Sequence, residues 1–115
     1  MAANEHLQPK QLSFLMPAHE VAKMQYGDAT TQRPADRKKV LAKKQSENET
    51  YGPPADMDRP LAVWHDTFNT TPTIYDGHHR LAQALATDPN REMLVSHDDE
   101  TSHEMMKARM YRKMG

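Results

Sequence analysis

The chain contains no cysteine. Disulfides, thiolate metal ligands and thiol nucleophiles are therefore excluded. Aromatic residues are scarce, 6% of 115 positions, and hydrophobic residues make up 37%. With a mean hydropathy of -0.94, that supports one small core and no second one. No stretch approaches the roughly 20 apolar residues of a membrane-spanning helix. The N-terminus lacks the basic-then-apolar pattern of a secretory leader. A cytoplasmic protein without membrane association is expected. Neither sign of charge dominates: the net charge is -1 and the pI near 6.6, which is not the bulk footprint of a nucleic-acid binder.

The charge that is present is unevenly placed. Arg33, Arg37, Lys38, Lys39, Lys43 and Lys44 form a basic run broken by Asp36. Asp98, Asp99, Glu100 and Glu104 form an acidic one, and Lys107, Arg109, Arg112 and Lys113 follow. A local basic patch can touch a phosphate backbone even when the total is neutral. Arg37, Lys38, Lys39, Lys43 and Lys44 are the candidate DNA contacts. The plainer alternative is a solvated helix face.

Punctuation by proline and glycine divides the chain into short elements. Gln11 to Leu15 reads as a strand, and Pro17 opens a helix carrying Ala18, Val21, Ala22 and Met24 that ends before Gly27. A second helix is expected from Ala35 to about Glu49; its apolar face is narrow, so it should be peripheral. Tyr51-Gly52-Pro53-Pro54 breaks structure, and Leu61 to His65 then reads as a buried strand. Thr73 to Tyr75 is a further strand, Leu81 to Ala86 lie in a helix, Asp88-Pro89-Asn90 ends it, and Glu92 to His97 is a third strand after the break. Strand, helix and strand in succession predict a single mixed α/β domain over residues 12–98. Residues 1–11 are expected to be loose. Residues 99–115 have capping-box spacing at Thr101 and Glu104 and a methionine-rich side, so they predict an amphipathic helix that docks on the domain, on a twin subunit or on a partner protein.

The chemistry concentrates at Asp76-Gly77-His78-His79-Arg80, between a strand and a helix. A helix N-terminus has unpaired N–H groups and the positive end of the dipole, so it accepts an anion. Arg80 adds a planar fork of donors suited to phosphate or carboxylate, and Gly77 allows close backbone approach. The competing description is an ordinary Asp-Gly turn followed by a solvated first turn. If either histidine contacts the anion, affinity should rise as pH falls toward about 6. His78 and His79 diverge by about 100° on a helix and are poor joint metal ligands, so no metal site is expected from them.

This box, Asp76-Gly77-His78-His79-Arg80-Leu81-Ala82, resembles the signature of the ParB/sulfiredoxin-like superfamily. Arg59-Pro60-Leu61-Ala62-Val63-Trp64 resembles the strand that precedes the box there, and Leu12 to Val21 resembles the opening of short ParB-like proteins. The resemblance spans residues 12–98 with a poorly matched middle. It implies a small sheet with helices and a nucleotide or phosphate, with Mg²⁺ as the accompanying ion, held at Asp76, Gly77, His78, His79 and Arg80. It also implies a DNA-associated or regulatory role. Sulfiredoxin chemistry is excluded because its catalytic cysteine position is His78 here.

Two other functions stay open at this level. One is an enzyme of the same superfamily, a phosphotransferase or a nuclease; in the kinase version His79 and Arg80 hold phosphates and Glu20 or Asp76 is the base. Asp66, Asp76 and Asp98 lie near strand ends, where they could meet. The other is a small adaptor, of phage type, that binds a host protein through the C-terminal helix.

Overall fold

The computed structural model describes residues 11–64 and 71–98. The expected loose N-terminus and C-terminal amphipathic helix lie outside the described residues, as does Asp66. Five strands and three helices follow one another: β1 (Gln11–Pro17), α1 (Ala18–Val21), β2 (Gln25–Tyr26), α2 (Pro34–Tyr51), β3 (Leu61–Trp64), β4 (Thr73–Asp76), α3 (His78–Thr87) and β5 (Glu92–Asp98). They build a single-domain α+β fold around one mixed sheet of order β1-β5-β3-β4-β2. No described helix is long and apolar enough to cross a membrane.

Strand alternation selects the core. Leu61 and Val63 on β3, Ile74 on β4, and Met93 and Val95 on β5 are buried, while the residues between them are half-buried or exposed. Period-2 alternation sends the buried set to one face of the sheet. There they meet Ala18 and Val21 of α1 and Leu81 and Ala84 of α3. Val95 lies opposite Phe14 on one side and Leu61 on the other, and Val63 lies opposite Ile74. The small Ala82 and Ala84 let α3 lie close to the sheet, and both are buried.

Two elements differ from the sequence reading. The first helix stops at Val21, and Gln25–Tyr26 instead pairs in parallel with Thr73 and Ile74 as an edge strand. Tyr26 explains the change: its ring is buried, and its hydroxyl donates to Ala22 O at 2.7 Å. The outer edge of this short strand is closed by a side chain. Gln32 Oε1 accepts from Tyr26 N–H at 2.7 Å, and Gln32 Nε2 donates to Tyr26 O at 2.8 Å. The amide thus supplies the donor and acceptor that another strand would, which blunts the edge.

The long helix α2 is peripheral as expected, with Val40 and Leu41 only partly buried against the core. Pro34 stands in its first turn, where a missing N–H costs nothing. Polar side chains fasten it. Arg37 Nη1 lies 3.4, 3.3 and 3.0 Å from Ala22 O, Lys23 O and Met24 O, where it satisfies carbonyls at the end of α1. The same guanidinium sits 5.6 Å from the Tyr26 ring centroid, within cation–π range.

Candidate functional site

The box lies where β4 passes into α3. Gly77 is the N-cap, with φ 114°, and no side chain caps the helix. Leu81 N–H is the first to bond back, to Gly77 O at 2.9 Å. The N–H groups of His78, His79 and Arg80 precede it and have no acceptor within the helix. Gly77 is needed for two reasons: its positive φ is strained for any L side chain, and a Cβ there would come 2.0 Å from Leu61 Cδ2. The space left by the missing side chain is thus filled by Leu61. That corrects the expectation that Gly77 is bare so that a ligand can approach.

Arg80 also differs from expectation. It is 4% exposed, and its guanidinium bonds to groups inside the protein. Nη1 donates to Arg59 O and, at 3.0 Å, to Pro60 O, while Nη2 lies 3.3 Å from Asp76 Oδ2. The fork ties the segment before β3 to the first turn of α3 instead of facing an anion. Leu81 and Ala84 turn α3 toward the sheet, and at about 100° per residue Arg80 shares that inward side. The exposed guanidinium at the box belongs to Arg59. Its Nη2 is 3.6 Å from the same Asp76 Oδ2, and its side chain is 61% exposed.

The two histidines separate, as their adjacency requires. His78 is buried, packs edge-on against Tyr26 with ring centroids 5.9 Å apart, and places Nδ1 3.5 Å from Asp28 Oδ2. Its Nε2 is buried without a hydrogen-bond partner among the described residues. Burial holds the His78 pKa below the ordinary histidine value; Lys44 and His79 act in the same direction, and Asp28 and Asp76 oppose them. Lys44 Nζ donates to Asp28 at 2.9 Å, and that hydrogen bond is the main reason the Asp28 carboxyl titrates below its usual range. Burial thus disfavours the protonated form of His78. His79 is exposed, with Nε2 3.0 Å from Glu47 Oε1.

The remaining candidates are dispersed. Glu20 pairs with Lys23 at 3.2 Å and His19 at 3.5 Å on α1. The first residues of α1 bond to Pro89 O and Arg91 O, beyond the C-terminal end of α3. The ten residues of α3, about 15 Å of helix, run from there to the box. Asp98 pairs with Trp64, whereas Asp76 pairs with Ala62. Two strands at about 4.8 Å each, and two residues along the strand, separate their backbones. Among the described residues no group of three or more His, Asp or Glu could hold a metal ion.

The basic run divides in two. Arg37 and Lys44 are fasteners of α2, as above. Lys38, Lys39 and Lys43 are exposed and form no ion pair among the described residues. Lys39 and Lys43, four apart, share one face of α2.

Several residues that shape the box were not among the expected site residues: Asp28, Glu47, Asn48, Arg59 and Leu61. Arg59 had a usable signal, since an arginine directly before the Pro60 strand stands next to the residue that Arg80 must anchor. Asn48 had one too, an amide buried in an otherwise charged helix, but burial cannot be read from a narrow apolar face. The chain matches no family model, and no curated protein and no solved structure matches it.

Proposed function

We propose that this domain binds a phosphate group, carried by a nucleotide or another phosphate compound, on the first turn of α3. The observation that carries the reading is the uncapped N-terminus of a ten-residue helix at a strand exit, with Gly77 in the left-handed region. The N–H groups of His78, His79 and Arg80 hold the anion, and the helix dipole favours it. Arg59 supplies the guanidinium that the sequence reading assigned to Arg80, and His79 is the adjacent exposed imidazole. The nearby carboxylates already have cations, Asp28 with Lys44 and Asp76 with Arg59 and Arg80, so they oppose the bound charge less than free carboxylates would.

The resemblance to ParB/sulfiredoxin-like proteins belongs with this proposal and extends it to a nucleotide, accompanied by Mg²⁺, in a regulatory or DNA-associated role. A DNA contact would fall on Lys38, Lys39 and Lys43. A kinase mechanism with Glu20 as base is not part of the proposal, because Glu20 sits at the far end of α3.

Thermal shift with inorganic tripolyphosphate, with and without Mg²⁺, tests the reading. At a hundred times its dissociation constant a ligand adds about 2.7 kcal/mol of stability. Wild type should shift, and Arg59→Ala, which keeps the backbone carbonyl that Arg80 uses, should bind about tenfold more weakly through loss of one charge-assisted hydrogen bond. Equal shifts in both proteins would remove Arg59 from the site, and no shift in either would remove the site itself.

A further inference from the structure

The two edges of the sheet are unlike. In the order β1-β5-β3-β4-β2 the outermost strands are β1 and β2. β2 is two residues long, and Gln32 already supplies an outer donor and acceptor at Tyr26. β1 is seven residues long, about 24 Å of strand. Among the described residues no strand pairs with its outer side. Every second residue of an edge strand turns its N–H and C=O away from its one neighbour. Ser13, Phe14 and Leu15 are exposed in succession, so β1 is open on both faces as well as along its edge.

Natural sheets blunt such an edge with a lysine, an inward-pointing charge, a bulge or a proline within the strand. β1 has none of these. Gln11 to Pro17 contains no charged residue, its register with β5 is unbroken, and its one proline is its last residue. The exposed side chains are large and apolar: Phe14 is 38% exposed and Leu15 64%.

We propose that β1 is a self-association edge, on which two copies of this chain pair β1 with β1, antiparallel, about a twofold axis normal to the sheet. Such an axis keeps the core faces of both copies on one side, and residues directly opposite each other point to the same face. Centring the pairing on Phe14 uses all seven positions. It sets Phe14 opposite Phe14 and Ser13 opposite Leu15. Phe14 already lies opposite Val95, which is buried in the core, so the aromatic pair continues the core face across the junction.

Two features favour a second copy over a strand from elsewhere. Twofold pairing sets like charges close together in a charged strand, whereas the uncharged β1 carries no such penalty. Self-pairing also leaves no open edge: the joined sheet ends in β2 on both sides, where Gln32 stands, while a single added strand would present a new outer edge of its own. Pro17, with no N–H to give, falls at the end of the pairing, where it costs at most one bond.

Sedimentation velocity on the full chain across a concentration series tests this. Wild type should approach, as concentration rises, a dimer of twice the 13.2 kDa of one chain. Phe14→Lys and Phe14→Glu set like charges opposite each other at the axis, and each should weaken association about tenfold or more. An equimolar mixture of the two variants should recover the dimer, because lysine then faces glutamate. Hydrogen exchange on wild type needs no variant: amides within Ser13–Met16 should become protected as concentration rises. A wild type that stays monomeric overturns the proposal. Amides equally protected in the monomer would mean that the chain itself covers this edge, and would overturn it as well. Undiminished dimers in both variants place the interface elsewhere, and a mixture of folded variants that stays monomeric refutes the pairing on Phe14.

Discussion

Helices α2 and α3 lie against each other and are held to the fold by opposite means. In α3, ten residues long, His78, Arg80, Leu81, Ala82 and Ala84 are buried. In α2, eighteen residues long, Asn48 alone is. The short helix is held by apolar area and by one internal guanidinium. The long one is held by side chains that look like surface: Arg37 on the carbonyls after α1, Lys44 on Asp28, Asn48 on His79 O and Gln45 on Gln83. Charge and amide content along a helix therefore do not measure its exposure. A basic run can be part fastener and part free face, and here Arg37 and Lys44 fasten while Lys38, Lys39 and Lys43 between them stay free.

The largest effect is expected at α3. Gly77→Ala forces a Cβ onto Leu61 and a strained φ onto alanine. The two costs together should destabilise by about 3 kcal/mol or more in urea denaturation. Adding Leu61→Ala should relieve the clash but not the φ, so the double variant should lose less than the sum of the two single losses. A fully additive double variant would show that Leu61 does not fill that space.

Arg80→Ala comes next. It strips the donor from Arg59 O and Pro60 O and leaves Asp76 with Arg59 alone. The expected loss is about 3 kcal/mol, and Arg80→Lys should recover little of it because an ammonium cannot reproduce the planar fork. Retention of wild-type stability in Arg80→Ala would mean that this guanidinium is not the strut described above. On α2, Arg37→Ala should cost less, about 1–2 kcal/mol, since it removes hydrogen bonds from carbonyls that water can partly reach.

Acid should act through His78. Its folded pKa is depressed by burial, so between that value and the ordinary value near 6.5 the unfolded chain binds more protons than the folded one. Stability is full above about 6.5 and falls as pH drops through that window. Asp28, also depressed, adds a further loss only below the usual carboxylate range. Chemical denaturation of His78→Gln from pH 7.5 to 5 should show a flatter slope than wild type, and parallel slopes would assign the acid sensitivity elsewhere. The smallest effect belongs to the free face of α2: Lys39→Gln with Lys43→Gln should change stability by no more than about 0.5 kcal/mol. If DNA binding exists, the same pair should weaken it and reduce its salt dependence.

The same contrast governs what could be read beforehand. Helix α3 and strands β3, β4 and β5 were legible because their apolar residues recur at the periods of the elements they form, and because Asp76-Gly77 and Asp88-Pro89 punctuate them. The short helix α1 was read too long because Met24 continues an apolar pattern. In fact Met24 packs into the core from the chain that leads to β2. At the box, residue type was legible and direction was not. Arg80 and His79 are adjacent, yet one points into the fold and the other to solvent, and only the placement of Leu81 against the sheet decides which. The contribution of Arg59 depends on β3 lying beside β4, which is a long-range pairing that no local pattern carries.

The most direct test of the phosphate site looks at the amides themselves. In a ¹⁵N–¹H NMR titration of the wild-type chain with tripolyphosphate, saturable shifts should centre on the backbone N–H groups of His78, His79 and Arg80, accompanied by the side-chain signals of Arg59. Shifts confined to Lys38, Lys39 and Lys43, or none at the first turn of α3, would contradict it.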